Sequence, residues 1–158
     1  MTARRPNCRA ARRAFTLIEL SMVMLIMAIM TAVAAPRYYA ALANYRVNAA
    51  AGRVAADLRM ARQYARKASV AQTVVFSVAG DSFTAPSMPG MDSPAATYTV
   101  ALGSTDYKTD VTSATFGGSA TVSFDIYGRP SAAGTVVVRS GGVQRTIQMD
   151  DAGNVSIL

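Results

Sequence analysis

FTLIELSMVMLIMAIMTAVAA, residues 15–35, is closed by Pro36 and holds one charge, Glu19. As an α-helix rising ~1.5 Å per residue it would reach about 31 Å, the thickness of a bilayer's hydrocarbon core. The run is therefore long enough to span a membrane. An acidic side chain inside such a run costs on the order of a few kcal/mol near the bilayer centre and less toward an interface, so Glu19 calls for a partner.

Residues 1–14 precede the run with Arg4, Arg5, Arg9, Arg12 and Arg13 and no acid, whereas the flank beyond Pro36 offers Arg37, Arg46 and Arg53 over a comparable distance. That bias places the amino terminus in the cytoplasm and the bulk of the chain outside. A secretory signal peptide, cut after Ala32-Val33-Ala34, is one reading of this unit, and Arg12-Arg13-Ala14-Phe15 has the look of a twin-arginine signal. An ordinary single-span anchor is another. None of these gives Glu19 a reason to be there.

Phe15-Thr16-Leu17-Ile18-Glu19-Leu20 resembles the processing motif of type IV pilins and type II secretion pseudopilins. The resemblance implies cleavage by the prepilin peptidase between Ala14 and Phe15, N-methylation of Phe15, and assembly through the apolar helix, with Glu19 and Pro36 at the positions the family uses. One departure is Ala14, where the family usually has glycine. The chemistry agrees: cutting turns the Phe15 amide into an ammonium that can pair with a carboxylate in a low-dielectric setting. Such a pair between neighbouring subunits would fix axial register in a bundle of greasy helices.

Length supports one modest domain once residues 1–14 (leader) and 15–36 (membrane and assembly helix) are set aside. The only cysteine, Cys8, lies in the leader, so the processed chain would hold itself together without a disulfide. Charge divides unevenly along the chain. The total is +7, but without the leader arginines 11 basic residues face 9 acidic ones. Residues 37–67 carry seven bases against Asp57 alone, and residues 68–158 carry four bases against seven acids. A basic helix is joined to a mildly acidic head.

Residues 37–68 are alanine-rich, lack proline and contain one glycine, Gly52, so the helix should resume after a bend at Pro36. Val47, Val54, Leu58, Ala61, Ala65 and Ala68 follow helical spacing and predict a stripe facing a sheet. Arg59, Arg62 and Arg66 mark the opposite face, toward solvent or a partner. The small residues Ala49 to Gly52 signal either close approach of another backbone or fraying.

From residue 69 the pattern turns to strands. Thr73–Val78 and Ser82–Ala85 predict a hairpin across Gly80-Asp81, and Pro86 to Pro94 a surface loop. Thr97–Leu102 and Val111–Phe116 are further strand candidates. Thr121–Tyr127, Thr135–Arg139, Val143–Met149 and Asn154–Leu158 predict an antiparallel meander, with Ser140-Gly141-Gly142 as a hairpin turn. The expected fold is α+β: a long amino-terminal helix, membrane-spanning then amphipathic, packed on an antiparallel head at 69–158.

Phe124-Asp125-Ile126-Tyr127-Gly128-Arg129-Pro130, then Gly141-Gly142, then Asp150-Asp151-Ala152-Gly153 resemble the H-type minor pseudopilins and related type IV minor pilins, the GspH/FimT group. Leu58 to Ala65 has the same look. Catalysis has little to work with: there is no histidine, no cysteine outside the leader, and the one glutamate sits in the apolar run. Asp125, Asp150 and Asp151 could approach a hard cation, but adjacent aspartates before Ala-Gly read as a turn. No enzyme, cofactor or metal is expected.

Arg59, Arg62, Arg66 and Lys67, with Arg139 and Arg145 on a hairpin, are candidate contacts to DNA or to a partner. DNA-uptake relatives tend to carry Gly-Arg-x-Arg near the carboxyl end, where this chain reads Gly153-Asn154-Val155-Ser156, which disfavours nucleic acid. The resemblance thus implies a minor pseudopilin of the bacterial inner membrane, single-pass, with a periplasmic head, working near the filament tip in protein export. Its partners would be the prepilin peptidase, other major and minor pseudopilins and the inner-membrane assembly platform. The alternatives are a type IV minor pilin of pilus assembly or DNA uptake and, more distantly, a soluble exported protein freed at Ala34.

Overall fold

A computed structural model describes residues 15–89 and 97–158. The leader with Cys8 and Ala14, and the Gly90–Pro94 part of the expected loop, lie outside the described residues. One helix is followed by eight strands: α1 (Leu17–Ala68), β1 (Gln72–Ser77), β2 (Ser82–Pro89), β3 (Thr97–Ala101), β4 (Asp110–Phe116), β5 (Thr121–Phe124), β6 (Gly134–Ser140), β7 (Val143–Met149) and β8 (Val155–Ile157). The chain divides between Arg37 and Tyr38 into two compact units.

In the first unit α1 starts at a cap written in the sequence. The Thr16 Oγ1 accepts the Glu19 backbone N–H at 3.3 Å and the Thr16 carbonyl accepts that of Leu20 at 3.2 Å, closing the first turn. Glu19 in that turn suits the positive end of the helix dipole. The helix continues through Pro36, whose missing N–H and ring cost about 3 kcal/mol in a helix interior. The apolar side chains from Leu17 to Val33 are exposed all round, so the segment has length and composition to cross a membrane.

In the second unit, residues 38–68 of α1 bury Ala43, Val47, Ala50, Ala51, Val54, Ala55, Leu58, Ala61 and Ala65. Ala50 and Ala51 are fully buried, so the small residues there serve close packing and not fraying. The expected stripe ends one turn early. Ala68 is exposed, because the helix stops there and Ser69 turns the chain with a positive φ of 53°.

The strands form two antiparallel four-stranded sheets, ordered β3-β2-β1-β5 and β4-β6-β7-β8. This corrects the expected meander: β5 leaves it to pair with β1, with Gln72 opposite Phe124, and only β6, β7 and β8 run consecutively. The Phe76 ring ties the sheets together, 5.4 Å from Phe83 in its own sheet and 5.7 Å from Phe116 in the other. Two further strand expectations change. β2 runs through Pro86 to Pro89 and buries Met88; the register shift against β3 between Ala85 and Pro89 gives Pro86 a place where no ladder N–H is needed. β5 stops at Phe124, since Asp125 turns the chain instead of continuing it.

Candidate subunit-contact sites

At the amino-terminal end of α1 the polar groups can be accounted for one at a time. The Ser21 hydroxyl donates to the Ile18 carbonyl and the Thr31 hydroxyl to that of Met27, both at 2.8 Å, and Thr16 caps the first turn. Hydroxyls in an apolar helix are satisfied in this way by their own backbone. The Glu19 carboxylate, by contrast, accepts no hydrogen bond among the described residues. Phe15, four residues earlier, is exposed, and Pro36 lies inside the helix.

In the head, two turns of one design face the same helix. Asp125-Ile126-Tyr127-Gly128 and Asp150-Asp151-Ala152-Gly153 each begin with an aspartate whose carbonyl accepts the glycine N–H, at 2.8 and 2.9 Å. In each, the aspartate Oδ1 accepts the N–H of the residue after the glycine, Arg129 or Asn154, at 2.7 Å. The residue after the glycine returns its carbonyl to the aspartate N–H, at 3.0 and 3.1 Å. Gly128 and Gly153 take φ of 74° and 78°, a left-handed conformation that side chains resist. The Asp150 carboxyl is held below its usual range by the backbone and side-chain hydrogen bonds from Asn154, with a smaller contribution from Arg62.

Arg62 joins the two turns. Its Nε donates to the Gly128 carbonyl at 3.1 Å and its Nη1 to that of Gly153 at 2.9 Å. One planar guanidinium thereby fastens the turn after β5, in the first sheet, and the turn before β8, in the second, to the helix. Arg66 Nε donates to the Tyr127 carbonyl at 2.7 Å, and Arg59 Nη2 to that of Val155. Glycine is required here twice over: a Cβ on Gly128 would sit 2.6 Å from Arg66 Nε, and one on Gly153 3.2 Å from Arg62 Nε.

The arginine face expected opposite the core is thus engaged with the head, a correction with a simple cause: the turns reach around to it. Lys67 is exposed one residue on. Arg145 belongs elsewhere, donating through Nε to Asn48 Oδ1 at 2.9 Å, eleven residues before Arg59 and so about 16 Å away along the helix. Arg139 lies 3.9 Å from Asp110, both exposed. The six basic candidates do not form one surface. Asp125, Asp150 and Asp151 are occupied as turn acceptors, Asp151 receiving the Ala133 N–H at 3.2 Å.

A polar cluster escaped the sequence reading. Arg53 Nε pairs with Asp57 at 2.9 Å, and Arg53 Nη2 donates to the Tyr98 hydroxyl at 2.6 Å. Burial raises the Asp57 carboxyl above its ordinary value, with hydrogen bonds from Tyr98 and Arg53 pulling the other way. Burial also raises Tyr98, and Asp57 adds to it. The i, i+4 spacing of Arg53 and Asp57 was a visible signal; Tyr98, 45 residues from Arg53, gave none.

The twin turns and their arginines fall almost entirely within residues 50–153, which match the family model of type II transport protein GspH. The chain belongs to the GspH family. Residues 9–35 match the prokaryotic N-terminal methylation motif, a span that contains Ala14, Phe15 and Glu19. The two matches together are those of the type IV pilin superfamily, and the fold is consistent with it. It is similar to two crystal structures of the type IV minor pilin FimU from Pseudomonas aeruginosa PAO1. One, in space group P21, has a TM-score of 0.56 at 15% identity, covering 73% of this chain and 90% of that one. The other, in P65, has a TM-score of 0.53 at 16% identity, covering 70% and 91%. Among curated proteins none matches the sequence significantly. Gly153 and Asn154, where the expected departure from a Gly-Arg-x-Arg pattern falls, both accept from Arg62.

Proposed function

We propose that this GspH-family chain is a minor pseudopilin, a non-catalytic filament subunit that supports protein export across the outer membrane by type II secretion. The observation that carries this reading is the Glu19 carboxylate: within a methylation-motif match and an exposed apolar helix, it is the side chain that its own helix does not satisfy. The prepilin peptidase cuts between Ala14 and Phe15, Phe15 is N-methylated, and the freed ammonium pairs with Glu19 of a neighbour. Residues 15–36 hold the subunit in the inner membrane with the amino terminus cytoplasmic. The helix over 37–68 and the head over 69–158 stand in the periplasm. The inner-membrane assembly platform then admits the subunit among other major and minor pseudopilins, near the tip.

Mass spectrometry of the protein purified from its host membrane tests this. A mature terminus at methyl-Phe15 is expected, and a terminus at Ala35 would mean simple secretion. The likeness to FimU at the level of fold favours a second reading, a type IV minor pilin of pilus assembly or DNA uptake. Deleting the gene separates the two: loss of exoprotein secretion with pili intact fits the first, and the reverse fits the second.

A further inference from the structure

We propose that the cleft between the last turns of α1 and the Gly153–Val155 segment is a docking site for a carboxylate-bearing segment of a neighbouring filament subunit. The proposal rests on the reading of the chain as an assembling subunit and adds to it a particular contact. Arg59, Arg62, Gln63 and Arg66 line one wall of the cleft and Gly153, Asn154 and Val155 the other, around a volume of about 270 Å³.

Three guanidiniums line the cleft, and none of them is in an ion pair among the described residues. Among the described residues the ion pairs are Arg53–Asp57 and Arg139–Asp110, and neither involves this trio. The Asp150 carboxylate, which feels Arg62, has both oxygens engaged by Asn154, at 2.7 and 2.8 Å. A guanidinium has five N–H donors. The carbonyl bonds take one from Arg59, one from Arg66 and two from Arg62 for the turns, with a further, longer contact of 3.4 Å from Arg62 Nη1 to Asn154 Oδ1. Those bonds hold the planes in place, so the remaining donors are preorganised for an incoming oxyanion.

Size and surroundings favour a side-chain carboxylate on a polypeptide. The volume falls below the ~300–1,000 Å³ of ordinary small-molecule sites. The turn that Arg66 grips exposes Ile126 and Tyr127, which offer apolar contact beside the charge. Charge also matches: residues 68–158 hold seven acids against four bases, while residues 37–67 hold seven bases against one acid. A neighbour of the same plan presents its acidic head to this basic wall.

The test uses the full chain in detergent with a fluorescent hexa-aspartate peptide, competed with short duplex DNA and with inorganic phosphate. The chosen variant is Gln63→Glu, because Gln63 is exposed and takes no part in the turn bonds, so the new carboxylate fills the cleft without unfastening the head. The peptide should bind the parent, be released at about 0.5 M salt, and bind Gln63→Glu about tenfold or more weakly, with thermal unfolding unchanged. Absence of binding, or equal binding to the variant, overturns the proposal. Tighter binding of the duplex at the same site assigns the cleft to nucleic acid and also overturns it, as does displacement of the peptide by phosphate at equal concentration. Because the isolated subunit is measured, a negative result leaves cleavage at Phe15 and assembly through Glu19 standing.

Discussion

Arg62 fastens two turns to the helix at once, because it reaches the carbonyls of Gly128, after β5, and Gly153, before β8. Hydrogen bonds from a charged donor contribute roughly 1.5–3 kcal/mol each, less where water competes. Arg62→Ala should therefore lower unfolding stability by about 2 kcal/mol, against a change within about 0.5 kcal/mol for the exposed Lys67→Ala; chemical unfolding of the full chain in detergent measures both. Gly128, beneath Arg62, supplies a paired prediction with Gly52. Gly128→Ala meets a positive φ and Arg66 at 2.6 Å, and should cost about 1–3 kcal/mol. Gly52→Ala lies in the helix with no atom within 4 Å of the new Cβ, and should stabilise by about 0.5–1 kcal/mol. The Asp-x-x-Gly stretches are legible in the sequence as turns. That one arginine bridges them is not, since its partners lie 66 and 91 residues away and nothing local in α1 marks Arg62 apart from Arg59 or Arg66.

At the scale of elements, periodicity carries the helix and most of the strands, because one buried face imposes period 3.6 on α1 and period 2 on β1 and β6. It misses what depends on pairing. Pro86 reads as a loop residue, and only the register shift against β3 explains its place in β2; the alternation of Thr121–Tyr127 runs on past Phe124, where an aspartate folds the chain back. Likewise, no local pattern says that β5 joins β1 and not β6. Where α1 meets β3, the Arg53–Asp57–Tyr98 cluster predicts a pH dependence. Burial sets the folded pKa of Asp57 above its ordinary 3.8, so the folded state binds the proton more tightly than the unfolded chain. The contribution of this carboxyl is complete below pH 3.8 and is lost as pH rises through the folded value. The stability of the parent relative to Asp57→Asn should thus fall over the interval from pH 3.8 up through the folded value, read from unfolding curves at several pH values. A relative stability that rises over that interval would mean that the Arg53 pair, and not burial, governs the group.

The whole molecule separates two tasks by composition. Residues 15–36 are apolar with one acid, and the second unit gathers basic charge on the helix and acidic charge on the head. The second unit has its own core, linked across the sheets by Phe76, and truncation of that ring should cost about 3–5 kcal/mol without touching the first unit's chemistry. The first unit holds nothing of the kind: its large apolar side chains from Leu17 to Val33 are exposed, so its stability lies in what it joins. That difference makes Glu19 the discriminating residue. Removing a membrane-embedded carboxylate makes insertion easier by up to a few kcal/mol, so Glu19→Ala should insert and be cut at least as well as the parent. If the carboxylate exists to receive the ammonium of a processed neighbour, the same variant should lose co-assembly, and Glu19→Gln, which keeps the shape without the charge, should lose it too. Glu19→Asp keeps the charge on a shorter arm and should retain part of it. Co-purification of each variant with the other subunits from sheared filaments reads the outcome. Full co-assembly of processed Glu19→Ala would mean that register is set by the apolar helix or by the head, and that the acid serves only the positive end of the helix dipole.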